Sequence, residues 1–562
     1  DGNTVRLTDL EITGSVAGGT VNVASSGTAA IGSASGNKLN LANVDATGAP
    51  IYGGFLTSTG TFDNALATGN SVMVSGTTTA SSIQGGFVET AATTGDDFAG
   101  NSLHVYSPAA GGIVVNGDVS NFERYDFTFD NATLDNAVGI TVDGAGHAFY
   151  LNDQDSAGGL APTTRGSVIN SINVTGGSDL LTIGKDVRLV ATANSATINK
   201  DYFTPAAVTG QHGALVDYVF SVDPATMTAT VETARLKESA KMVPEAHLGS
   251  VASVIQGSDH LVGQALDNAV TATYQNVSGE LYGAGQVVAP FLSVAGGNVR
   301  YETGSHVEAR GISLVGGLAY GADIAPGRIT VGGFAEYGNH DYDTENTFNT
   351  IGAAAGRGDT DYVGGGLVAR VELNGSADGN FYAEASGRGG RVKNRFETGS
   401  LRDPLNKAVS FETTTPYYGL HAGLGYKFHP ASSAGTLDIY GKYLWSHVNA
   451  EDALLSSGDS VHFDPVDSQR ARAGVKYTHA LSDTVAPFVG AAFEHEFDGQ
   501  ADAYTYGVKI PSPTMKGSTG MGELGLRITP GLNSPYSADL GVQGYMGKRG
   551  GVTGNLTLKM EF

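Results

Sequence analysis

The chain has 562 residues, of which 81 are Gly, none is Cys and 16% are charged, and its formal net charge is -24. The absence of Cys excludes disulfide frameworks, Cys-ligated zinc and thiol catalysis. The acidic balance argues against nucleic acid as a partner, because phosphates recruit Lys and Arg. With 41% hydrophobic residues the chain can bury a core, so wholesale disorder is excluded.

No segment reaches the roughly 18 unbroken apolar residues of a transmembrane helix. A transmembrane β-barrel stays open as a class, because it places its apolar residues at alternate positions and gives only a weak hydropathy signal. The amino end, DGNTVRLTDL, has neither the basic nor the apolar segment of a secretion signal, so we expect any such signal to have been removed or left out of this sequence.

Two phased repeats occupy the first 130 residues. The phrase Asn-x-[Val/Leu]-x-[Val/Leu] starts at Asn3, Asn37, Asn70 and Asn101. A second phrase lies between these starts, as Val16-Ala-Gly-Gly-Thr20, Ile51-Tyr-Gly-Gly-Phe55 and Ile83-Gln-Gly-Gly-Phe87. Each unit contains two short alternating strands that cannot bury their apolar side alone, so the units must stack. The pattern predicts a β-solenoid, or β-helix, over residues 1–166.

The repeat fades over residues 167–240 while the strand signal continues, which predicts a junction that caps the last rung of the solenoid. From Pro244 to Ala272 the apolar residues recur at helical spacings, with Pro244 acceptable in a first turn. This predicts one amphipathic helix with a narrow apolar stripe, within a linker spanning residues 241–280.

The remaining residues, 281–562, alternate between apolar and polar side chains in segments of about ten residues, the length of a tilted membrane-spanning strand. Twelve segments are predicted, at 287–297, 307–322, 327–340, 359–373, 380–394, 414–428, 436–448, 467–480, 484–497, 517–529, 537–547 and 553–562. Short and long connections alternate between them, as in outer-membrane barrels. The fold class is therefore all-β, with a solenoid, a linker helix and a 12-stranded antiparallel transmembrane barrel. Because twelve is even, we expect the helix to start from the short-turn, periplasmic side.

Charged residues of both signs occupy the predicted inward face of the barrel. An Arg or Lys at the bilayer midplane costs about 2–4 kcal/mol on the lipid face, so these residues predict a hydrated lumen that holds a polar helix. The set is Glu336, Arg370, Glu372, Glu384, Arg388, Asp438, Lys442, Arg470, Arg472, Lys476, Glu494, Glu523, Arg527, Asp539, Lys559 and Glu561. The default interpretation is the mutually paired wall of a pore; a role in processing or gating is the alternative.

Taken together, these features resemble the monomeric autotransporters of the type V secretion pathway over the whole chain. The resemblance implies the end of a longer β-helical passenger, an autochaperone-like junction around Ala214–Thr233, and a translocator barrel in the bacterial outer membrane that displays the passenger at the cell surface. The final residues Leu556, Leu558, Met560 and Phe562 resemble the signal read by the barrel-assembly machinery. Outer-membrane lipid and that machinery are the implied partners, with an unknown host or cell-surface ligand for the passenger.

Two short motifs are candidate sites. Some autotransporters cut themselves at an Asn near the lumenal helix, and Gln275-Asn276-Val277 follows the predicted helix; an ordinary helix-end Asn is the alternative. Arg357-Gly358-Asp359 falls in a long predicted surface loop, where an adhesive tripeptide competes with a plain solvated loop. The sequence has no G-x-S-x-G, H-E-x-x-H or phosphate-binding loop motif, so we expect no enzyme, cofactor or metal.

Three hypotheses follow. The first is an outer-membrane translocator that displays a passenger with an adhesive or structural role. The second is the same barrel with an enzymatic passenger that these residues do not contain. The third is a porin-like channel with a periplasmic β-domain, which predicts steady conductance through an open lumen.

Overall fold

The computed structural model describes residues 1–24, 28–156, 160, 162–274, 286–325, 327–375, 379–429, 435–529 and 536–560. The chain divides into two compact units. The amino-terminal unit is Asp1–Lys237 with Arg402–Lys407 and Ser457–Asp459, and the carboxyl-terminal unit is Glu238–Leu401 with Ala408–Ser456 and Ser460–Phe562. Among the described residues, no helix is both long and apolar enough to cross a bilayer.

Short strands and one 3-10 turn build the amino-terminal unit. They are β1 Thr4–Thr8, β2 Val16–Val23, β3 Thr28–Ser33, β4 Lys38–Ala42, β5 Asp45–Ser58, β6 Thr61–Leu66, β7 Ser71–Gly76, β8 Thr79–Val88, β9 Ala92–Asp96, β10 Ser102–Pro108, β11 Ile113–Val115, β12 Val119–Ser120, β13 Arg124–Asp130, the 3-10 turn Leu134–Asn136, β14 Val138–Asp143, β15 Ala148–Tyr150, β16 Val168–Thr175, β17 Asp186–Ala193, β18 Thr197–Asn199, β19 Val208–His212, β20 Val216–Asp223 and β21 Thr228–Leu236.

Strands of successive repeats pair in parallel. One ladder runs β1–β4–β7–β10–β13–β16, a second runs β2–β5–β8, and a third runs β3–β6–β9. In the first ladder Leu41 pairs with Leu7 on one side and with Val74 on the other, so apolar residues of different repeats stack on one another. The four Asn phrases of the sequence therefore lie side by side.

The Asn residues that begin these phrases form a hydrogen-bonded ladder. The Asn37 side-chain amide donates to Asn70 Oδ1 at 2.9 Å, and the Asn70 amide donates to Asn101 Oδ1 at 3.2 Å. Backbone amides of Asn37 and Asn70 donate to the same oxygens at 3.0 and 2.8 Å. All three side chains are fully buried. A buried amide must be paired, so this ladder gives the repeat its register.

The parallel pattern ends near the carboxyl end of this unit. Strand β19 pairs antiparallel with β20, which pairs antiparallel with β21, and β21 pairs antiparallel with β17. This short meander falls within the region 167–240, for which the sequence predicts a capping junction.

A buried polar cluster lies at one side of the repeats. Asp97 accepts hydrogen bonds from the hydroxyl of Ser156 and, at 3.2 Å, from the side-chain amide of Asn121. Burial raises the pKa of Asp97 to about 7, against the lowering effect of the Ser156 hydrogen bond. Nearby, Arg165 bridges Asp96 at 2.8 Å and Asp153 at 3.0 Å. These bonds tie the segment after β15 to the repeats.

The carboxyl-terminal unit begins with a helical segment. A 3-10 turn, Glu238–Lys241, leads into α1, Met242–His260, followed by a π-helical turn, Leu261–Ala265, and α2, Leu266–Ala272. The predicted helix is confirmed. The prediction of a narrow apolar stripe was wrong, since every residue of α1 is buried. The reason is that the barrel surrounds the helix on all sides.

Twelve strands close into an antiparallel barrel around this helix, which confirms the predicted all-β class and the 12-stranded barrel. They are β22 Gln286–Glu302, β23 His306–Ile324, β24 Gly327–Phe348, β25 Gly352–Leu373, β26 Gly379–Arg402, β27 Ala408–Phe428, β28 Gly435–Val448, β31 Val466–His479, β32 Val485–Glu496, β35 Gly517–Ile528, β36 Tyr536–Gly547 and β37 Arg549–Met560. Strand β37 pairs with β22 and closes the barrel. The strands β29 Glu451–Leu454, β30 Ser460–Phe463, β33 Ala503–Thr505 and β34 Val508–Ile510 form a separate small sheet from two of the long connections.

Strands β24 to β27 are 21 to 24 residues long, about one and a half times the predicted length. Their inward/outward alternation continues in polar residues beyond the apolar band, and the sequence prediction took these residues for loops. Arg357-Gly358-Asp359 therefore lies within β25 and not in a surface loop, which corrects the prediction. There Arg357 faces Glu397 at 3.8 Å, and Asp359 is ion-paired with Arg395.

Candidate functional site

The lumen of the barrel is the candidate site, because the helix and the inward charges of the wall meet there. Strand alternation places every second side chain inward, and the helix supplies acids to a wall rich in Arg. The sequence of the helix, residues 242–272, contains the acids Glu245, Asp259 and Asp267 and no Lys or Arg.

Asp259, near the end of α1, lies at the centre of the largest ion-pair cluster. Its carboxylate accepts hydrogen bonds from Arg470, Arg472 and Arg549, each at 2.6 Å. Glu494 joins the cluster from the wall, at 2.6 Å from Arg549 and 2.7 Å from Arg472. All five side chains are at least nine-tenths buried. Three guanidinium groups thus share two carboxylates, and one of these belongs to the helix.

A second cluster surrounds Glu384. This carboxylate accepts a hydrogen bond from Arg370 Nε at 2.9 Å and lies 2.9 Å from Lys442 Nζ and 3.2 Å from His421 Nε2. Arg370 also pairs with Asp267 of α2. Each half of the helix therefore contributes one acid to a cationic cluster of the wall.

A third cluster lies entirely on the wall. Arg388 lies 3.0 Å from Glu336 and over the ring of Tyr417, at 5.0 Å from its centre. The hydroxyl of Tyr417 donates to Glu336 at 2.6 Å. Cation–π contact and ion pairing together hold this buried Arg against the helix.

Small residues of the helix let the wall approach closely. A Cβ atom added at Gly249 would lie 2.7 Å from the Tyr342 ring, and one added at Gly257 would lie 2.8 Å from Cζ of Tyr362. Real Cβ atoms do not come this near, so both positions require Gly. The lumen therefore accepts this helix because of its small side chains as well as its acids.

The contacts at the two ends give the direction of the helix. At its start, Glu245 accepts a hydrogen bond from Thr303 at 2.9 Å, and His247 stacks on Phe463 of the small sheet at 4.8 Å. Phe463 lies in the long connection between β28 and β31, and Thr303 lies in the turn between β22 and β23 at the same end of the barrel. We call this end the long-connection end. At its finish, Thr273 meets Thr330 at 3.1 Å, next to the short connection between β23 and β24.

The helix thus begins at the long-connection end and finishes at the short-turn end, so our expectation of a short-turn start was wrong. An even number of strands decides only where the barrel itself begins. The helix passes through the lumen before the first strand, which reverses the end at which it starts.

Of the sixteen predicted lumenal residues, fifteen lie in the described part of the chain, and the structure places all fifteen on the inward face; Glu561 lies outside the described residues. Ten are buried, namely Glu336, Arg370, Glu372, Glu384, Arg388, Arg470, Arg472, Glu494, Asp539 and Lys559. Five are half-buried, namely Asp438, Lys442, Lys476, Glu523 and Arg527.

Asp259, Asp267 and Arg549 belong to these clusters but were missed. The absence of basic residues from the helix, opposite a wall rich in Arg, is the signal that would have identified the two acids. Arg549 was missed because the last strand begins four residues earlier than predicted.

Other predicted site residues lie at or beyond the ends of the described segments. Gln275, Asn276 and Val277 lie outside the described residues, as does Phe562. Leu556 and Leu558, of the predicted barrel-assembly signal, lie in β37 and are 39% and 50% exposed on the outer face. Met560 is the last residue of that strand.

Comparison with known families identifies this barrel. Residues 291–543 match the family model of the autotransporter beta-domain. The chain carries an autotransporter β-domain. Its barrel accordingly belongs to the bacterial outer membrane, as predicted.

Several solved structures are similar in fold to the autotransporter β-domain. The translocator domain of the autotransporter NalP from Neisseria meningitidis is 16% identical, with a TM-score of 0.40, covering 55% of this chain and 98% of that one. The transport unit of AIDA-I from Escherichia coli is 15% identical, with a TM-score of 0.37, covering 53% and 98%. The beta domain of the Bordetella autotransporter BrkA is 14% identical, with a TM-score of 0.37, covering 49% and 99%. A comparison with curated proteins gave no match.

Proposed function

We propose that the barrel anchors the chain in the outer membrane and exports residues 1–237 to the cell surface, with the helix as the segment that stays in the lumen. The direction of the helix carries this proposal. Since the helix begins at the long-connection end, the residues before it leave the barrel there, and in outer-membrane barrels the long loops face outward.

The filled lumen supports an anchoring role over an open channel. Every residue of α1 is buried, and two of the three helix acids, Asp259 and Asp267, pair with buried Arg residues of the wall. A porin-like channel needs an unobstructed hydrated path, whereas here the wall charges pair with the helix.

For the amino-terminal unit we propose a β-helical passenger with an adhesive or structural role. Three parallel ladders and a buried Asn ladder repeat one local structure, as in solenoid folds, where each unit contacts its neighbours. Such a surface presents the same rows of side chains over several repeats, which suits contact with another surface. The outward Leu556 and Leu558 of β37 are proposed to contact the barrel-assembly machinery during insertion.

The absence of Cys from the chain makes surface display directly testable. Ile183 is 72% exposed in the amino-terminal unit, and Leu481 is 66% exposed in a short turn of the barrel. We expect Ile183→Cys to react with a membrane-impermeant maleimide on intact cells, and Leu481→Cys to react only after the outer membrane is breached. Asp452→Cys, in the small sheet at the long-connection end, is the surface control.

Protection of Ile183→Cys to the same degree as Leu481→Cys, while Asp452→Cys is labelled, would contradict export. The role of the barrel is tested by expressing residues 1–237 without it, which should leave position 183 unlabelled on intact cells. The adhesive role is tested by comparing the adherence of cells that carry the whole chain with that of cells that carry residues 238–562 alone.

A further inference from the structure

The outer face of strands β23 to β27 contains an apolar groove at the level of the lipid. It has a volume of about 740 Å³, within the range of small-molecule sites, and it is lined by Leu318, Val331, Leu367, Ala385, Gly387 and Leu420. The three Leu side chains are 58 to 70% exposed on the barrel surface. Between these Leu side chains the outward positions of β26 carry only small residues. The floor of the groove is therefore formed mainly by the backbone of β26.

A row of cations continues from this floor along the same face of β26. Arg391, Lys393 and Arg395 occupy the next outward positions after Gly387 and Gly389. With a rise of about 3.4 Å per residue, Arg391 lies roughly 14 Å along the strand from Gly387. The row begins where the apolar floor ends.

The level of Arg391 is that of the membrane interface. Its cross-strand partner is Val363, which in turn pairs with Tyr337. Tyr337 is 42% exposed on the outer face, and exposed aromatic residues mark the girdles at the two edges of the apolar band. Arg391 lies toward the long-connection end of the barrel. Because long loops face outward in outer-membrane barrels, this level corresponds to the outer leaflet.

Arg391 differs from its neighbours in its charge balance. Lys393 pairs with Glu412 at 2.7 Å, and Arg395 pairs with Asp361 at 3.4 Å and with Glu412 at 3.2 Å. Arg391 is exposed and, within the described part of the chain, makes no ion pair. An unpaired guanidinium at this level fits a phosphate, which it can bind with two parallel hydrogen bonds.

We propose that this face binds one phosphate-bearing acyl lipid of the outer leaflet, with an acyl chain in the groove and the phosphate at Arg391. The groove supplies apolar contact, and Arg391 supplies the charge complementarity that selects an anionic head group. This inference depends on the outer-membrane position of the barrel and not on what residues 1–237 do. A failure of the proposed export would therefore leave it unaffected, and its own failure would not contradict export.

The test measures binding of a phosphatidylglycerol to the full-length, delipidated protein by native mass spectrometry. Gly387→Leu fills the groove, and a Cβ there meets its nearest atom at an ordinary 3.5 Å. Arg391→Gln removes the charge. We expect each to weaken binding about tenfold, the loss of one strong contact, and we expect a diacylglycerol with the same chains to bind the unaltered protein about tenfold more weakly than the phosphatidylglycerol.

Two matched variants control for general effects. Gly544→Leu adds the same side chain to an outward position of β36, where a Cβ has open space, and Arg357→Gln removes an exposed, paired Arg of β25. Heat-modifiable mobility on gels confirms folding, and Gly333→Leu, with its nearest atom at 3.8 Å, is a second groove variant should Gly387→Leu fail to fold.

Equal binding by the groove variants and Gly544→Leu would overturn the proposal, as would equal binding by Arg391→Gln and Arg357→Gln. Inorganic phosphate is the competitor that separates a lipid head group from a free anion. If it displaces the lipid while the groove variants bind normally, the site is an anion site without an acyl chain, and the proposal is wrong.

Discussion

Asp259 is the residue on which the docking of the helix depends most. Its carboxylate accepts three hydrogen bonds at 2.6 Å, from guanidinium groups that reach it from β31 and β37. Asp259→Asn preserves the shape of the side chain and removes its charge. We expect this single change to loosen the helix in the lumen and to let ions pass.

The magnitude follows from the charges left behind. Without the Asp259 carboxylate, three buried guanidinium groups share Glu494 alone, with Glu496 at 4.0 Å from Arg470 as the next acid. Removing one partner of a buried ion pair costs about 3–5 kcal/mol, because the remaining charge stays desolvated. Since roughly 1.4 kcal/mol is a factor of ten, the ratio of docked to undocked helix should fall by about two to four orders of magnitude.

Planar-bilayer conductance of the purified full-length chain measures this directly. The unaltered protein should stay closed for most of the recording, and Asp259→Asn should open frequently. Asp452→Asn is the matched control, because Asp452 is 79% exposed in its pair with His462 and its loss should change nothing. Adding Arg549→Gln to Asp259→Asn removes the excess cation and should reduce the openings.

The electrostatic reasoning is refuted if Asp259→Asn conducts like the unaltered protein and leaves the helix equally resistant to protease. Closure would then depend on steric packing alone, and the buried charges of the lumen would contribute nothing to it.

Three further predictions concern packing, the repeat and pH. Gly257→Val should disrupt docking and raise conductance, since the Tyr362 ring occupies the space of a Cβ, whereas Gly263→Val, in open space, should not. Asn70→Ala should destabilise the amino-terminal unit by about 2–4 kcal/mol, because two buried donors of Asn37 lose their acceptor, while Asn40→Ala should have little effect; hydrogen exchange of β4 and β7 measures both. The pKa of Asp97 lies above its ordinary value of 3.8, at about 7, so the folded state binds the extra proton and stability should fall as pH rises from about 4 to 7. The stability lost by pH 8 is at most about 4 kcal/mol. Asp97→Asn should abolish this loss, and unfolding measured from pH 4 to pH 8 tests both statements.

The barrel could be predicted from the sequence because its physical rule is simple and repeated. One face of each strand meets lipid and the other meets a polar lumen, so a period of two marks both the strand and its inward residues. This rule found Arg470 and Arg472 as an inward pair two residues apart, and the structure brings both to the same carboxylate. It failed where the outer environment changes from lipid to water, because outward residues are then polar and the extended ends of β24 to β27 were taken for loops.

The helix could not be interpreted in the same way. A helix at a protein surface shows an apolar stripe, and such a stripe was the basis of the prediction. This helix is enclosed, so its side chains must fit wall residues that lie up to 290 positions away in the sequence. The contact between Asp259 and Arg549 is an example. Its direction also depends on the lumen, since nothing local distinguishes a helix that precedes the barrel from one that passes through it.

Enclosure explains why the helix is rich in small side chains and why it has acidic residues but no Lys or Arg. A lumen lined by Tyr342, Tyr362 and Tyr417 leaves room for a backbone with Gly and Ala, and a wall with buried Arg requires carboxylates on its occupant. The two requirements are separable, because Gly257 meets a ring and Asp259, two residues on, meets three guanidinium groups. If both hold the helix, a variant at either position should open the lumen independently, and the combined variant should open it no less than the stronger of the two.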